Sequence, residues 1–457
     1  MSNFNEFKLD NNIDVIHIPN NNNITAIQIF IKVGSINENM DEKGMSHFLE
    51  HILFKGTEKR NNPKAIAKEL DSVGGYFNAY TDKDVTCYIV KINSDHIKIA
   101  LDILSDMLFN SIFNNDEFEM ERNVVVEEIN KDKDDPARQV IENLYKIVFE
   151  NNPLMYSIGA EEEDILNFTR ENVIKYWKKH YCSNKTYISI CTNKTKIETQ
   201  NLLNIFFKNF KPCQDMDVLK QRKLDIQKEP RYNLQINKNL EQVHLAIGFP
   251  LGDRYNNDKY TLEIINILLA GNMSSRLFTS LREKNGLSYN ISCDVSLYKD
   301  AGIIYISTSF DKDSLILKNI NDIKYQKNFN ELYESIFNSN SNKLGPGGIP
   351  IIIHELHKLK TELVEEEELS KVKGYLQGNL ILKNESSNNL SEMYGRQLVE
   401  QYSITSQKKI LEKYNSIKPE DIRNISKKYF DFKKLNISII GDYEEIYIKS
   451  FIDYYIF

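Results

Sequence analysis

Residues 171–193 read ENVIKYWKKHYCSNKTYISICTN, and residues 420–442 read EDIRNISKKYFDFKKLNISIIGD. A shift of 249 positions lays one stretch on the other. It pairs Glu171 with Glu420, Val173 with Ile422, Lys178 and Lys179 with Lys427 and Lys428, Ile188 with Ile437, and Ile190 with Ile439. Each copy is a helical run, a short polar turn and an alternating strand. A second, weaker correspondence uses a shift of 216, which sets KGMSHFLEHILF at 43–54 on KYTLEIINILLA at 259–270. The chain thus reads as one unit written twice, and such repetition decides the fold before any single element does.

The two shifts differ by 33 residues, so one half carries extra chain between these markers. Residues 320–353 are the candidate: they are rich in Asn, contain NSNSN and end in GPGGIP. That composition predicts a surface loop, with Ile349 to Ile353 marking its return toward the helix that holds His354 and His357. Two halves follow, 1–220 and 230–457, joined near DVLKQRKLDIQKEPRYN. Each opens on alternating strands, most clearly ITAIQIFIKVG at 24–34 and EQVHLAIGFPLG at 241–252. Helices and hairpin-like strands then interleave. The predicted class is α+β, two homologous half-domains, each a largely antiparallel sheet with helices on one face.

At 457 residues, and roughly 150 residues per domain, the chain has room for two to four domains. It is 41% hydrophobic and 27% charged with a formal net charge of -7, a balance that argues against a nucleic-acid footprint. No run of 18 apolar residues occurs, so no membrane span is expected. The start, MSNFNEFKLDNNIDVIHIPN, lacks the basic-then-apolar order of a secretory signal and lacks the Arg of a presequence. A cytoplasmic location is expected, with an organelle matrix as the alternative. Five cysteines without a C-x-x-C read as free thiols in a reducing compartment.

The chemistry concentrates in GMSHFLEHILFKG at 44–56. On a helix, His47 and His51 are four residues apart and share a face, with Glu50 beside them. Two imidazoles at that spacing suit zinc, a third protein ligand leaves one position for water, and an unligated carboxylate can take the water's proton. The order H-x-x-E-H is the inverse of H-E-x-x-H. The flanking Phe48, Leu49, Ile52, Leu53 and Phe54 predict a largely buried helix, on which titratable groups need partners. FEMERNVVVEEINKD at 118–132 is the best source of the third ligand. Glu121 and Glu128 lie two turns apart on one face, Glu127 lies off that face, and spacing alone leaves each as ligand or solvated acid. His354 and His357, without a matching acid, read as ordinary helix residues.

These residues resemble the pitrilysin and mitochondrial processing peptidase family of inverse-motif metallopeptidases. The resemblance is carried by HFLEHILFKGT, GGYFNAYTDKDVTCY at 74–88, ERNVVVEEI at 121–129 and SSRLFTSLREKNGLSYNIS at 274–292, in that order. It covers most of the chain outside the insertion. It implies one zinc ion held by His47, His51 and Glu128, Glu50 as general base and Glu121 as a supporting acid behind the ligands. It implies that Asn78, Ala79 and Thr81 lie on an edge strand that pairs with extended substrate. It further implies that Arg282 and Tyr289 hold the substrate carbonyl and stabilise the oxyanion. Under the repeat, His47 falls on Glu263, His51 on Ile267 and Glu128 on Gln377, so the second half has lost the metal set. The implied activity is zinc-dependent cleavage of extended or presequence-like peptides, in a homodimer or beside a non-catalytic homologue. A non-cleaving, peptide-binding or structural subunit of the same fold is the alternative; such a subunit would ordinarily lack part of the metal set, which is complete here.

Overall fold

The computed structural model describes residues 4–213, 224, 227–315, 347–400, 403–443 and 448. The first half forms a six-stranded sheet from β1 (Asn5–Lys8), β2 (Asp14–Pro19), β3 (Ile24–Ile31), β4 (Tyr76–Thr81), β5 (Thr86–Asn93) and β6 (Thr186–Thr192). Its order is β1-β2-β6-β3-β5-β4, and only β2 and β6 run parallel. The second half forms a five-stranded sheet from β7 (Arg231–Ile236), β8 (Gln242–Leu251), β9 (Ile291–Leu297), β10 (Gly302–Asp311) and β11 (Asn436–Gly441). Here the order is β7-β11-β8-β10-β9, again with one parallel pair, β7 and β11. The repeated motif thus ends in β6 in one copy and in β11 in the other, each antiparallel to a long strand of its sheet, β3 and β8 respectively.

Helices complete the repeat. The first half contributes α1 (Met45–Ile52), α2 (Pro63–Asp71), α3 (Ile97–Phe109), α4 (Asn115–Lys133), α5 (Pro136–Val148), α6 (Glu162–Leu166), α7 (Arg170–His180) and α8 (Lys196–Phe207). The second contributes α9 (Asp258–Ala270), α10 (Gly348–Thr361), α11 (Glu366–Lys383), α12 (Ser387–Glu400), α13 (Gln407–Ser416) and α14 (Pro419–Tyr429). The α+β class expected from the sequence therefore holds, twice over. No described helix is long and apolar enough to cross a membrane.

The strand sequences explain the packing. In β3, Ile27, Ile29 and Ile31 join a core with Phe48 and Leu49 of α1, Leu101 and Leu104 of α3, Val173 of α7 and Leu203 of α8. Alternation sends Ala26, Gln28 and Phe30 to the opposite face. That face is buried as well, because α12 lies across β2, β3 and β6. The approach is close: a Cβ on Gly395 of α12 would meet the Phe30 ring at 2.3 Å. Polar contacts fix the register, with Ser189 Oγ donating to the Ser391 carbonyl at 2.7 Å and Gln28 Nε2 donating to the Asn388 carbonyl at 3.0 Å.

α12 comes from the second half of the sequence, and the second unit shows the reciprocal arrangement. Its sheet carries α5, from the first half, across β7, β8, β10 and β11. The two compact units are accordingly 1–131, 156–221 and 378–410 in one, and 132–155, 222–377 and 411–457 in the other. The halves read from the repeat exchange one segment each, and a helix covers the sheet face that the sequence reading left open.

Two further expectations change. Cys182 and Cys213 are joined in a disulfide with Cα atoms 5.5 Å apart, while Cys87, Cys191 and Cys293 are free and buried. The pairing arises from tertiary contact: Ser183 N donates to the Lys211 carbonyl and Cys213 N to Asn184 Oδ1, bringing together residues 31 apart. Ile349 to Ile353 are not the return of a loop. They form the first turns of α10, and Ile349, Ile351, Ile352 and Ile353 are all fully or nearly fully buried. Residues 320–346 of the expected insertion, and most of the expected junction, lie outside the described residues.

Candidate metal centre

The groove between α1 and α4 is built by two complementary patterns. α1 buries Met45, Phe48, Leu49 and Ile52, which leaves His47, Glu50 and His51 on the adjacent face. α4 buries Phe118, Glu121, Val125 and Ile129, and Glu128 sits two turns after Glu121 on the side turned to α1. The start of α1 is set by a buried carboxylate rather than by an ordinary cap. Glu38, 8% exposed, accepts from the backbone N–H groups of Gly44 and Ser46 at 2.8 Å each. Gly44 has φ of 83° and lies close against Ala160, so any side chain there would be both strained and obstructed.

His47 Nε2 and His51 Nε2 are 3.3 Å apart, and Glu128 Oε2 lies 3.5 Å from the second and 3.8 Å from the first. Zinc bonded at about 2.0–2.2 Å in a tetrahedron spaces its ligand atoms by roughly 3.3–3.6 Å. Two of the three separations fall in that range and the third, 3.8 Å from His47 to Glu128, lies just beyond it, so the three donor atoms cluster closely enough to share one cation. The residues therefore fit one zinc ion. Glu127, one position earlier, is exposed and does not belong to the cluster.

Behind the ligands the polar groups are already committed. His51 Nδ1 donates to Glu121 Oε1 at 2.8 Å, a bond that fixes the tautomer and leaves Nε2 as the free lone pair. Lys55 Nζ bonds the other oxygen of Glu121. Burial alone would raise the Glu121 carboxyl, but the hydrogen bonds and charges of His51 and Lys55 hold it below the usual range. Burial would lower His51, and the bond to Glu121 with the charges of Glu50, Glu121 and Glu128 raises it instead. Lys55 was missed in the sequence reading. Its signal was its place four residues after His51, continued onto the same face by a 3-10 turn at Leu53–Lys55.

Glu50 is excluded from the cluster and held separately. Thr81 Oγ1 donates to its Oε2 at 2.6 Å. Burial raises the Glu50 carboxyl and Glu128 adds to this, against the opposing pull of Thr81 and His51. Thr81 thus touches the expected base directly, in addition to its place on the strand. Asn78, Ala79 and Thr81 all lie on β4, whose neighbour among the described strands is β5 alone, so its outer edge is open to a further strand. Asn78 is engaged locally: its Nδ2 donates to Tyr76 Oη and its Oδ1 accepts from Ala79 N, both at 2.9 Å.

Arg282 and Tyr289 belong to the second unit. Arg282 lies on a π-helical turn, Phe278–Glu283. Its guanidinium stacks 4.3 Å from the Tyr289 ring centre, and its Nη1 donates to the Tyr289 carbonyl at 3.2 Å. The two residues named as partners in sequence are brought together, and Tyr289 is 70% exposed.

Residues 15–162 match the family model of the insulinase domain of peptidase family M16, and residues 167–344 match that of the M16 inactive domain. An uncharacterized zinc protease of Rickettsia felis is 33% identical over 94% of this chain and 95% of its own length. The chain belongs to peptidase family M16. An uncharacterized zinc protease of Bacillus subtilis is 29% identical, with 89% of this chain and 90% of that protein covered. In fold, the chain resembles a protease from Helicobacter pylori with a TM-score of 0.84 at 20% identity, over 96% of this chain and 100% of that one. A peptidase M16 inactive domain from Pseudomonas fluorescens follows at 0.81 and 15% identity, over 96% and 98% of the two chains. In this M16 chain His47-x-x-Glu50-His51 matches the inverse H-x-x-E-H motif, and His47, His51 and Glu128 form a cluster that could hold a metal ion.

Proposed function

We propose that the chain is a zinc-dependent endopeptidase acting on extended peptide, with His47, His51 and Glu128 as ligands of one zinc ion and Glu50 as general base. The observation that carries this reading is the separation of roles in the groove. Three potential ligand atoms cluster within 3.8 Å of one another, while Glu50 stands outside that cluster with its own hydrogen bond to Thr81. Zinc there supplies a Lewis acid for the scissile carbonyl and lowers the pKa of water.

The remaining work falls to the chain's own residues. Glu50 accepts the proton of the attacking water and returns it to the leaving amine. Thr81 fixes one Glu50 oxygen, so the other is the one that receives the proton. Glu121, held by Lys55, keeps His51 in the tautomer that presents Nε2. The open edge of β4 receives the substrate as an added strand, which selects extended chain over folded protein. The family resemblance assigns the developing oxyanion to Arg282 and Tyr289. Turnover in Arg282→Ala and Tyr289→Phe, at unchanged zinc content, tests that assignment.

The deciding experiment is Glu50→Gln. The amide keeps the shape but cannot take a proton. Zinc per chain should stay at the parent's level while hydrolysis of a quenched peptide falls by about 100- to 10,000-fold. Full activity in this variant would overturn the mechanism.

A further inference from the structure

The exchanged helix α12 reaches the hairpin that carries Thr81, and does so through a charged cluster that the reaction scheme leaves unused. Arg396 Nη1 donates to Asp82 Oδ2 at 2.8 Å and to Glu400 Oε1 at 2.9 Å, and its Nε donates to Glu392 Oε1 at 2.9 Å. The guanidinium also lies 5.0 Å from the centre of the Tyr80 ring, and Tyr80 Oη donates to the same Glu392 oxygen at 2.6 Å. Tyr80 and Asp82 are the two neighbours of Thr81. Strand alternation sends them toward α12 and sends Thr81 to the opposite face, where it meets Glu50.

We propose that Arg396 is a positioning residue for this site, clamping Tyr80 and Asp82 so that Thr81 is held at hydrogen-bond distance from Glu50. The inference deepens the peptidase reading and rests on it for its kinetic consequence. Three facts carry it. The residues on both sides of Thr81 are held by one guanidinium, directly or through Glu392. β4 is an edge strand paired on one side only among the described strands, so it lacks the second ladder that would otherwise fix it. The turn that follows is tied by Asp82 N to the Val85 carbonyl at 2.8 Å, which makes Asp82 the natural point at which to grip the hairpin. A planar fork with several fixed donors suits that grip, and an ammonium does not reproduce it.

The test uses the full chain loaded with zinc. Arg396→Met should lower kcat on a quenched peptide roughly tenfold, a modest case of the losses that misplacement brings. Zinc content should stay at the parent's level. Arg396→Lys should fall between Met and parent. Thr81→Val should lose activity too, and the double variant Thr81→Val with Arg396→Met should be no worse than the poorer single one, because the two act through one contact. A merely stabilising Arg396 would lower the thermal transition, leave kcat per zinc-loaded molecule unchanged and combine multiplicatively with Thr81→Val. Either a parental kcat in Arg396→Met or a multiplicative double variant overturns the proposal.

Hydrogen exchange gives a readout independent of turnover. Amides of residues 80–86 should exchange at least about tenfold faster in Arg396→Met, with α1 and α4 unchanged. If the parent hydrolyses no peptide, the peptidase reading fails on its own, and exchange alone then decides whether Arg396 holds the hairpin. Unchanged exchange there overturns the proposal. Should Arg396→Met not fold, Asp82→Asn, which removes one charge from the same clamp, replaces it under the same criteria.

Discussion

The groove between α1 and α4 and its repeat-mate between α9 and α11 are the same pair of helices with opposite contents. In the first, two imidazoles and three carboxylates crowd into a half-buried space. In the second, the position of His51 is Ile267 and that of Glu128 is the exposed Gln377. Glu263, in the place of His47, is raised by burial and accepts the Tyr414 hydroxyl, so its polar atom is spent inside the fold. What remains is a cleft of about 540 Å³ of mixed lining, with apolar Ile267, Leu268 and Val372 beside polar Asn272, Glu368 and Lys371. The backbone alone therefore does not make a metal site. A handful of side chains on a repeated frame decide it.

That contrast fails if the first groove does not depend on its carboxylates in the stated order. The largest expected effect is at Glu128. Glu128→Ala should cost more zinc affinity than loss of an outer partner, beyond about 100-fold, whereas Glu127→Ala should leave metal content at the parent's level. Equal loss in both, or loss only in Glu127→Ala, would show that the wrong carboxylate was assigned.

The starts of the two helices differ as well, and this predicts a pH dependence. Glu38, buried under the start of α1, is pushed up to about 7 chiefly by burial, against the backbone N–H bonds of Ser46 and Gly44 that favour its ionised form. α9 begins at Asn257 without a side-chain cap. A carboxyl raised in the folded state binds protons more tightly there than in the unfolded chain. Its contribution is full below the ordinary value of 4.5 and is lost as pH rises to about 7. Unfolding free energy should fall across that window by an amount on the order of 3 kcal/mol. Urea unfolding of Glu38→Gln should lack this slope, and a parental slope would place the titration elsewhere.

Glu121→Gln should weaken zinc binding by about 10- to 100-fold, with Lys55→Met showing the lower end. Competition with a chelator measures both, and no change in either would reduce the His51–Glu121–Lys55 chain to packing. At the small end, Gln377→Ala in the second groove should change zinc content not at all. A measurable loss there would mean that the two grooves are not as separate in function as their residues imply.

Much of this was present in the sequence. The spacing of His47, Glu50 and His51 on one helix is a local property, and so is the two-turn interval from Glu121 to Glu128; helical geometry turns both into shared faces. The repeat of 171–193 at 420–442 gave the architecture because hydrophobic periodicity survives when identity does not. Tertiary contact decided the rest. Spacing could not choose among three acids in α4, since the choice depends on which side of that helix faces α1. The Cys182–Cys213 pair needed the chain to bring residues 31 apart to within 5.5 Å. The buried start of α10 hid in a Gly- and Pro-rich run, where composition favours a turn and burial overrides it. Most of all, nothing local told α12 and α5 to cross to the other unit's sheet. Each sheet has two apolar faces, as Phe30 and Ala26 opposite Ile27 and Ile29 show, and a second face needs a cover that its own half does not supply.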